Sequence, residues 1–122
     1  MKMFRKDEGF TLVELMVVVL IIGILVAIAI PIFNAAKASA QQKTCYANMR
    51  TESGAYQTWL ADQQGTPVYP TNWATLNADL VPNYIKAIPT CPAGGVYSGT
   101  FSGTPASSLV VACTFATHTS TF

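Results

Sequence analysis

A chain of 122 residues with 51% hydrophobic and 11% charged side chains has room for one domain plus an anchor. Its formal net charge of +1 excludes the dense Lys/Arg surface on which strong nucleic-acid binding depends. The hydrophobic excess is concentrated in the N-terminal third, so an apolar segment and an ordinary polar one are expected to have different surroundings.

Residues 1–9 are short, polar and basic, with Lys2, Arg5 and Lys6 followed by Asp7, Glu8 and Gly9. The positive-inside rule keeps such a leader in the cytoplasm and exports the rest of the chain. Phe10 to Phe33 is the transmembrane candidate: Glu14 is its only charge, and Leu15 to Phe33 has none. As a helix rising ~1.5 Å per residue, such a run crosses a hydrocarbon core ~30 Å thick. A carboxylate inside that core is costly and is functional by default, with a partner to be named. Three readings compete. A plain single-pass anchor explains the basic flank but leaves Glu14 a liability. A secretory signal peptide cut at Ala27-Ile28-Ala29 explains the basic start, but the run is too long, carries a charge and places Pro31 just behind the cut. Cleavage after Gly9 instead removes the leader and leaves an α-amino group on Phe10, about one helical turn from Glu14, so amine and carboxylate can neutralise one another.

Gly9-Phe10-Thr11-Leu12-Val13-Glu14 at the head of a long apolar helix resembles the class III signal of type IV prepilins and related pseudopilins. The resemblance implies that a prepilin peptidase cuts between Gly9 and Phe10 and methylates the Phe10 amine. It also implies that Glu14 pairs with the Phe10 amine of a neighbouring subunit during assembly. Gly23 and Pro31 fall where such sequences commonly carry glycine and proline, and in assembled filaments of this family the segment matching Gly23 to Pro31 often unwinds. From the residues alone, Pro31 removes one helical hydrogen bond and predicts a kink or loosening. Gly23 is a second weak point, costing roughly 1 kcal/mol against alanine. Both could also be merely tolerated.

Residues 34–64 read as an amphipathic continuation of the same helix. Ala35, Ala36, Ala38 and Ala40 favour helix, and Cys45, Met49, Tyr56 and Leu60 form an apolar stripe with Trp59 beside it, leaving Arg50, Glu52 and Asp62 off it. No strong stop signal precedes Gly65, Pro67 and Pro70, so a helix of some ~80 Å is expected to end near Gln64. Removing the leader leaves four side chains of each sign, Lys37, Lys43, Arg50 and Lys86 against Glu14, Glu52, Asp62 and Asp79.

Residues 65–122 are a small head. One or two helical turns are expected around Leu76, Leu80 and Val81, interrupted at Pro82, and Pro89-Thr90-Cys91-Pro92-Ala93-Gly94-Gly95 is turn material. Val96 to Phe101 and Leu109 to Phe115 read as strands across a Gly/Ser/Thr/Pro loop. Two strands alone are barely stable, so they must lie on the Cys45–Leu60 stripe. The fold class is therefore α+β, a long N-terminal helix packed against a small antiparallel sheet, and the head resembles those of small type IV and competence-type pilins.

Three cysteines in an exported domain permit one disulfide and leave one thiol. Cys91 and Cys113 bracket the hairpin, and closing that loop contributes roughly 3 kcal/mol in the chain-entropy model. That bridge is preferred and would leave Cys45 a packed thiol; bridges from Cys45 to Cys91 or Cys113, or none, stay open. No metal site is expected, because no histidine or second cysteine stands at ligand spacing. His118, the only histidine, sits in a Thr/Ser-rich tail and is expected to be solvated. Isolated Asp62 and Asp79 give no support for a calcium loop. Nor is there a phosphate-binding glycine loop or a Cys–His spacing suited to catalysis. The dense Ser/Thr stretches from Ser98 to Ser108 and after Thr114 read as solvated loops, with O-linked glycan an alternative. Tyr46, Tyr56 and Trp59 suit core packing rather than electron transfer along a filament.

The expected function is structural and not enzymatic, with no cofactor: a prepilin that polymerises into a type IV pilus, serving adhesion, twitching motility or DNA uptake. Its expected partners are copies of itself, the prepilin peptidase, an inner-membrane assembly platform and, before assembly, the membrane. The alternatives are a minor pilin, a type II secretion pseudopilin, or a membrane-tethered binding module that never assembles.

Overall fold

The computed structural model of the chain describes residues 9–63, 65, 68–102 and 108–118. The basic leader, Gln64, residues 66–67, the tip of the hairpin loop and the end of the Ser/Thr tail lie outside the described residues. Among the described residues the elements are, in order, α1 (Leu12–Asp62), α2 (Trp73–Leu80), β1 (Tyr97–Ser102) and β2 (Ser108–Cys113). The chain forms two compact units dividing between Lys37 and Ala38.

In the first unit, Thr11 and Glu14 start α1. The Glu14 N–H donates to Thr11 Oγ1 at 3.3 Å, and the Thr11 N–H donates back to Glu14 Oε2 at 2.9 Å. This reciprocal capping box satisfies two of the donors that a helix start leaves open. From there α1 continues without interruption through Gly23 and Pro31. Proline at position 31 has no N–H to offer the Ala27 carbonyl, and the helical assignment carries through it. Every residue from Leu12 to Lys37 is exposed within the chain. This helix is long and apolar enough to cross a membrane.

The second unit contains the core. Between Ala38 and Asp62, α1 buries Cys45, Met49, Glu52, Ala55, Tyr56 and Trp59. The spacing of 45, 49, 52, 56 and 59 alternates four and three, which keeps one side of a 3.6-residue helix facing inward. Glu52 therefore lies on the stripe, contrary to the sequence expectation, because the gap between Met49 and Tyr56 must be filled by whatever residue the period places there. Trp59, not Leu60, completes the fully buried row, and Leu60 is half-buried.

Asn72 caps α2, with Asn72 Oδ1 accepting the Thr75 N–H at 2.9 Å; Leu76 and Leu80 point into the core. The two strands pair antiparallel, with Tyr97 opposite Cys113, Gly99 opposite Val111 and Phe101 opposite Leu109. Tyr97, Leu109 and Val111 are buried, and the intervening positions face out, as the two-residue period requires. Gly99 leaves the space that admits Trp73, since a Cβ there would lie 2.1 Å from the indole ring. Tyr56 stacks on Trp59 with ring centroids 5.8 Å apart and meets Phe101 at 5.9 Å. The fold is thus the expected long helix packed on a small antiparallel sheet. Its boundaries moved slightly: α1 ends at Asp62, and β2 stops at Cys113 instead of Phe115.

Candidate functional site

The first site is the start of α1. Gly9 and Phe10 precede the helix and are exposed, and the Gly9 backbone has no heavy atom within 4 Å of where a side chain would begin. Glu14 Oε2 accepts from the Thr11 N–H at 2.9 Å and from Thr11 Oγ1 at 2.8 Å. The carboxylate is thereby folded back toward the residue that cleavage after Gly9 would leave as the N-terminus. Thr11 was missed as a partner of Glu14, although Thr-x-x-Glu before an apolar run is a legible capping signature. Gly23 and Pro31 lie further along the same exposed helix.

The second site lies in the head. Cys45 comes from α1, Cys91 from the turn before β1, Cys113 from the end of β2 and His118 from the segment after it. One ligand atom from each lies within 4.8 Å of every other. Cys45, Cys91 and His118 are buried, and Cys113 is partly exposed. The expected partners Cys91 and Cys113 are brought together here, with Cys45 beside them. Proximity alone does not single out that pair, because Cys45 and His118 share the same small space. His118 corrects the sequence expectation outright: it is 1% exposed, with its ring 4.8 Å from that of Phe115 and its Nδ1 3.5 Å from Cys91 Sγ. The absence of ligand spacing along the chain was a poor guide, since four distant segments supply the four side chains.

Local structure holds these groups in place. Burial alone would push the Cys91 thiol up, but N–H groups of Ala93 and Gly95, with Cys113 and His118, bring it down to about 7. Cys45 is pushed up to about 12 by burial, against a hydrogen bond with Tyr97. The Asn48 amide donates to Tyr97 Oη at 3.2 Å and to the Thr90 carbonyl at 3.1 Å, tying α1 to the turn that carries Cys91. Gln41 reaches the Pro92 carbonyl at 3.0 Å and Gln42 the Thr117 carbonyl at 2.6 Å. A Cβ on Gly95 would stand 2.6 Å from Cys113 Sγ, so this position admits the sulfur only as glycine.

Glu52 is a buried carboxylate among the described residues of the core. Neither carboxylate oxygen has a hydrogen-bond partner, and burial raises its pKa to about 7.

Comparison with known proteins places the first site in a wider group. Residues 4–30 match the prokaryotic N-terminal methylation motif. The chain is 33% identical over 109 residues to the type II secretion system core protein G of Vibrio cholerae, covering 80% of this chain and 73% of that protein. It is 34% identical over 122 residues to the type IV narrow pilus major component PilA5 of Thermus thermophilus, covering 95% and 86%. It is 35% identical over 90 residues to the ComG operon protein 3 homolog of Bacillus licheniformis, covering 73% and 86%. No solved structure gives a significant match.

Proposed function

The chain belongs to the family of type IV pilins and type II secretion pseudopilins, and we propose that it is the repeating subunit of a type IV pilus. The observation that carries this reading is the first half of α1, apolar on all sides, exposed from end to end, and carrying one carboxylate at its start. Such a surface needs a bilayer or copies of itself. Before assembly the helix anchors the subunit in the membrane, with the leader on the cytoplasmic side. Cleavage between Gly9 and Phe10 by a prepilin peptidase, with methylation at Phe10, then creates an amine where residue 9 was joined.

Glu14 supplies the complementary charge. Within one chain its Oε2 is held by Thr11, which orients the carboxylate toward the helix start. In the growing filament the Phe10 amine of an adjacent copy approaches there, at an assembly platform in the inner membrane. Two charges that neutralise one another in a dry environment set the register, and the apolar side chains supply the driving force. Repeating one contact through a rotation that does not close gives a helical fibre. The role is structural, with no chemistry in the head required.

The similarity to a secretion-system core protein favours a second reading, in which the same assembly mechanism builds a short pseudopilus. Adhesion, twitching motility and DNA uptake are the uses open to a surface filament. The test is electron microscopy of cells with an antibody against the head, together with mass spectrometry of sheared filaments. Filaments labelled along their length, with an N-terminus at a methylated Phe10, are expected. Label confined to the cell envelope would favour the pseudopilus. A start at Ile30 would establish a secretory signal peptide and end the pilin reading.

A further inference from the structure

The cluster of Cys45, Cys91, Cys113 and His118 is not used by filament assembly and is built from four separate segments of the second unit. Three thiols and one imidazole make the Cys₃His donor set, the set that structural zinc sites employ. With Zn–S near ~2.3 Å and Zn–N near ~2.0 Å, the edges of a tetrahedron are about 3.5–3.8 Å. The Cys91 Sγ to His118 Nδ1 separation is 3.5 Å, and no pair of the four ligand atoms exceeds 4.8 Å. The four donors therefore lie close enough together for one tetrahedral ion to reach all of them. We propose that these four side chains bind one Zn²⁺ ion as a closed structural site that staples the sheet and the C-terminal segment to α1.

The surroundings suit thiolate ligands. Cys91 lies in a turn closed by the Gly94 N–H donating to the Cys91 carbonyl at 3.0 Å, and the Ala93 and Gly95 N–H groups are turned toward its sulfur. The Tyr97 hydroxyl stands against Cys45 and is itself held by Asn48. Donors of this kind orient the ligands and stabilise charge on sulfur. Binding releases the thiol protons, so affinity rises with pH. A head of this size gains from such a staple as it would from a disulfide, because its core is small.

The rival occupant of the space is a disulfide between two of the three cysteines, which would remove two ligands and abolish the site. The experiment uses the full chain in detergent micelles, isolated without added reductant or chelator. Metal content, free thiols and non-reducing peptide maps are measured on the same sample. The protein is then reduced, stripped and titrated with Zn²⁺ alone and with Co²⁺ as an optical probe. One tightly bound Zn²⁺ per chain, three thiols shielded from alkylation until the metal is removed, and the d–d and thiolate charge-transfer bands of tetrahedral cobalt are expected. Cys45→Ser and His118→Ala should each weaken Zn²⁺ binding by at least roughly tenfold. Quantitative bridging of any two cysteines in the isolated protein overturns the proposal. So does a cobalt spectrum without thiolate bands, which needs no variant and so cannot be confused with misfolding. A His118→Ala chain that binds as tightly as wild type overturns the Cys₃His assignment.

Discussion

Along α1, residues 12–37 and residues 38–62 share one backbone conformation and carry opposite surfaces. The first stretch leaves apolar side chains exposed all round, Phe33 at 70% among them, and buries none. The second presents one buried row to its own core and covers the rest with Lys, Thr, Gln and Asn. Helix propensity does not distinguish them. The difference lies in where each finds its apolar partner: the second stretch in its own α2 and sheet, the first only in lipid or in other chains. Charge divides in the same way. Glu14 is exposed and held by Thr11 at a helix start, where anions are favoured, whereas Glu52 is enclosed with no hydrogen-bond partner among the described residues.

The largest effect should come from breaking the first stretch. Glu14→Val should lower the yield of sheared filaments by roughly an order of magnitude or more, since the incoming subunit would bring an unpaired amine into a dry interior. Membrane levels and cleavage after Gly9 should be unchanged. Glu14→Gln sharpens the result, because glutamine keeps the capping box with Thr11 and loses only the charge. A Gln variant that assembles like wild type would transfer the role of Glu14 from pairing to capping.

The second stretch should respond in the opposite sense. Leu76→Ala removes a fully buried side chain from the core that faces α1 and should destabilise the head by about 2–5 kcal/mol. Urea unfolding of the detergent-solubilised chain, followed by Trp59 and Trp73 fluorescence, measures it. Insertion of the apolar stretch into membranes should be unaffected. A loss of insertion would show that the two units are not independent in the way the comparison requires.

The smallest effect is a pH dependence. The folded-state pKa of Glu52 is raised by burial from 4.5 to about 7, so the neutral acid is the form the core accepts. Below pH 4.5 folded and unfolded chains are both protonated there and nothing is lost. As pH rises toward 7 the unfolded chain releases the proton first, and stability falls until both forms are ionised. With allowance for solvent screening the loss is about 1–2 kcal/mol. Urea midpoints measured between pH 4.5 and 8 should decline in wild type relative to Glu52→Gln. Parallel curves would mean that the carboxylate has found a partner or solvent.

Much of this was legible in the residues. The apolar run, its single carboxylate and the Gly-Phe start depend on local sequence, so the long apolar helix and the N-terminal methylation motif could be read directly. The two strands were readable from alternating or β-branched residues and α2 from Leu76 and Leu80, with turn residues between them. Glu52 was misread because a carboxylate at a core position contradicts its own chemistry, and the period of the helix overrides that chemistry once Met49 and Tyr56 are both inside.

Sequence by itself determined that this chain has an apolar helix too exposed to stand alone, since hydrophobicity and periodicity are properties of neighbours along the chain. Only the tertiary structure decided that Cys45, Cys91, Cys113 and His118 share one space. Their separations along the chain are unrelated to ligand spacing. The strand register that sets Cys113 opposite Tyr97, and the burial of His118 beside Cys91 and Phe115, are tertiary arrangements. Packing of that kind joins residues far apart in sequence, and no local pattern records it.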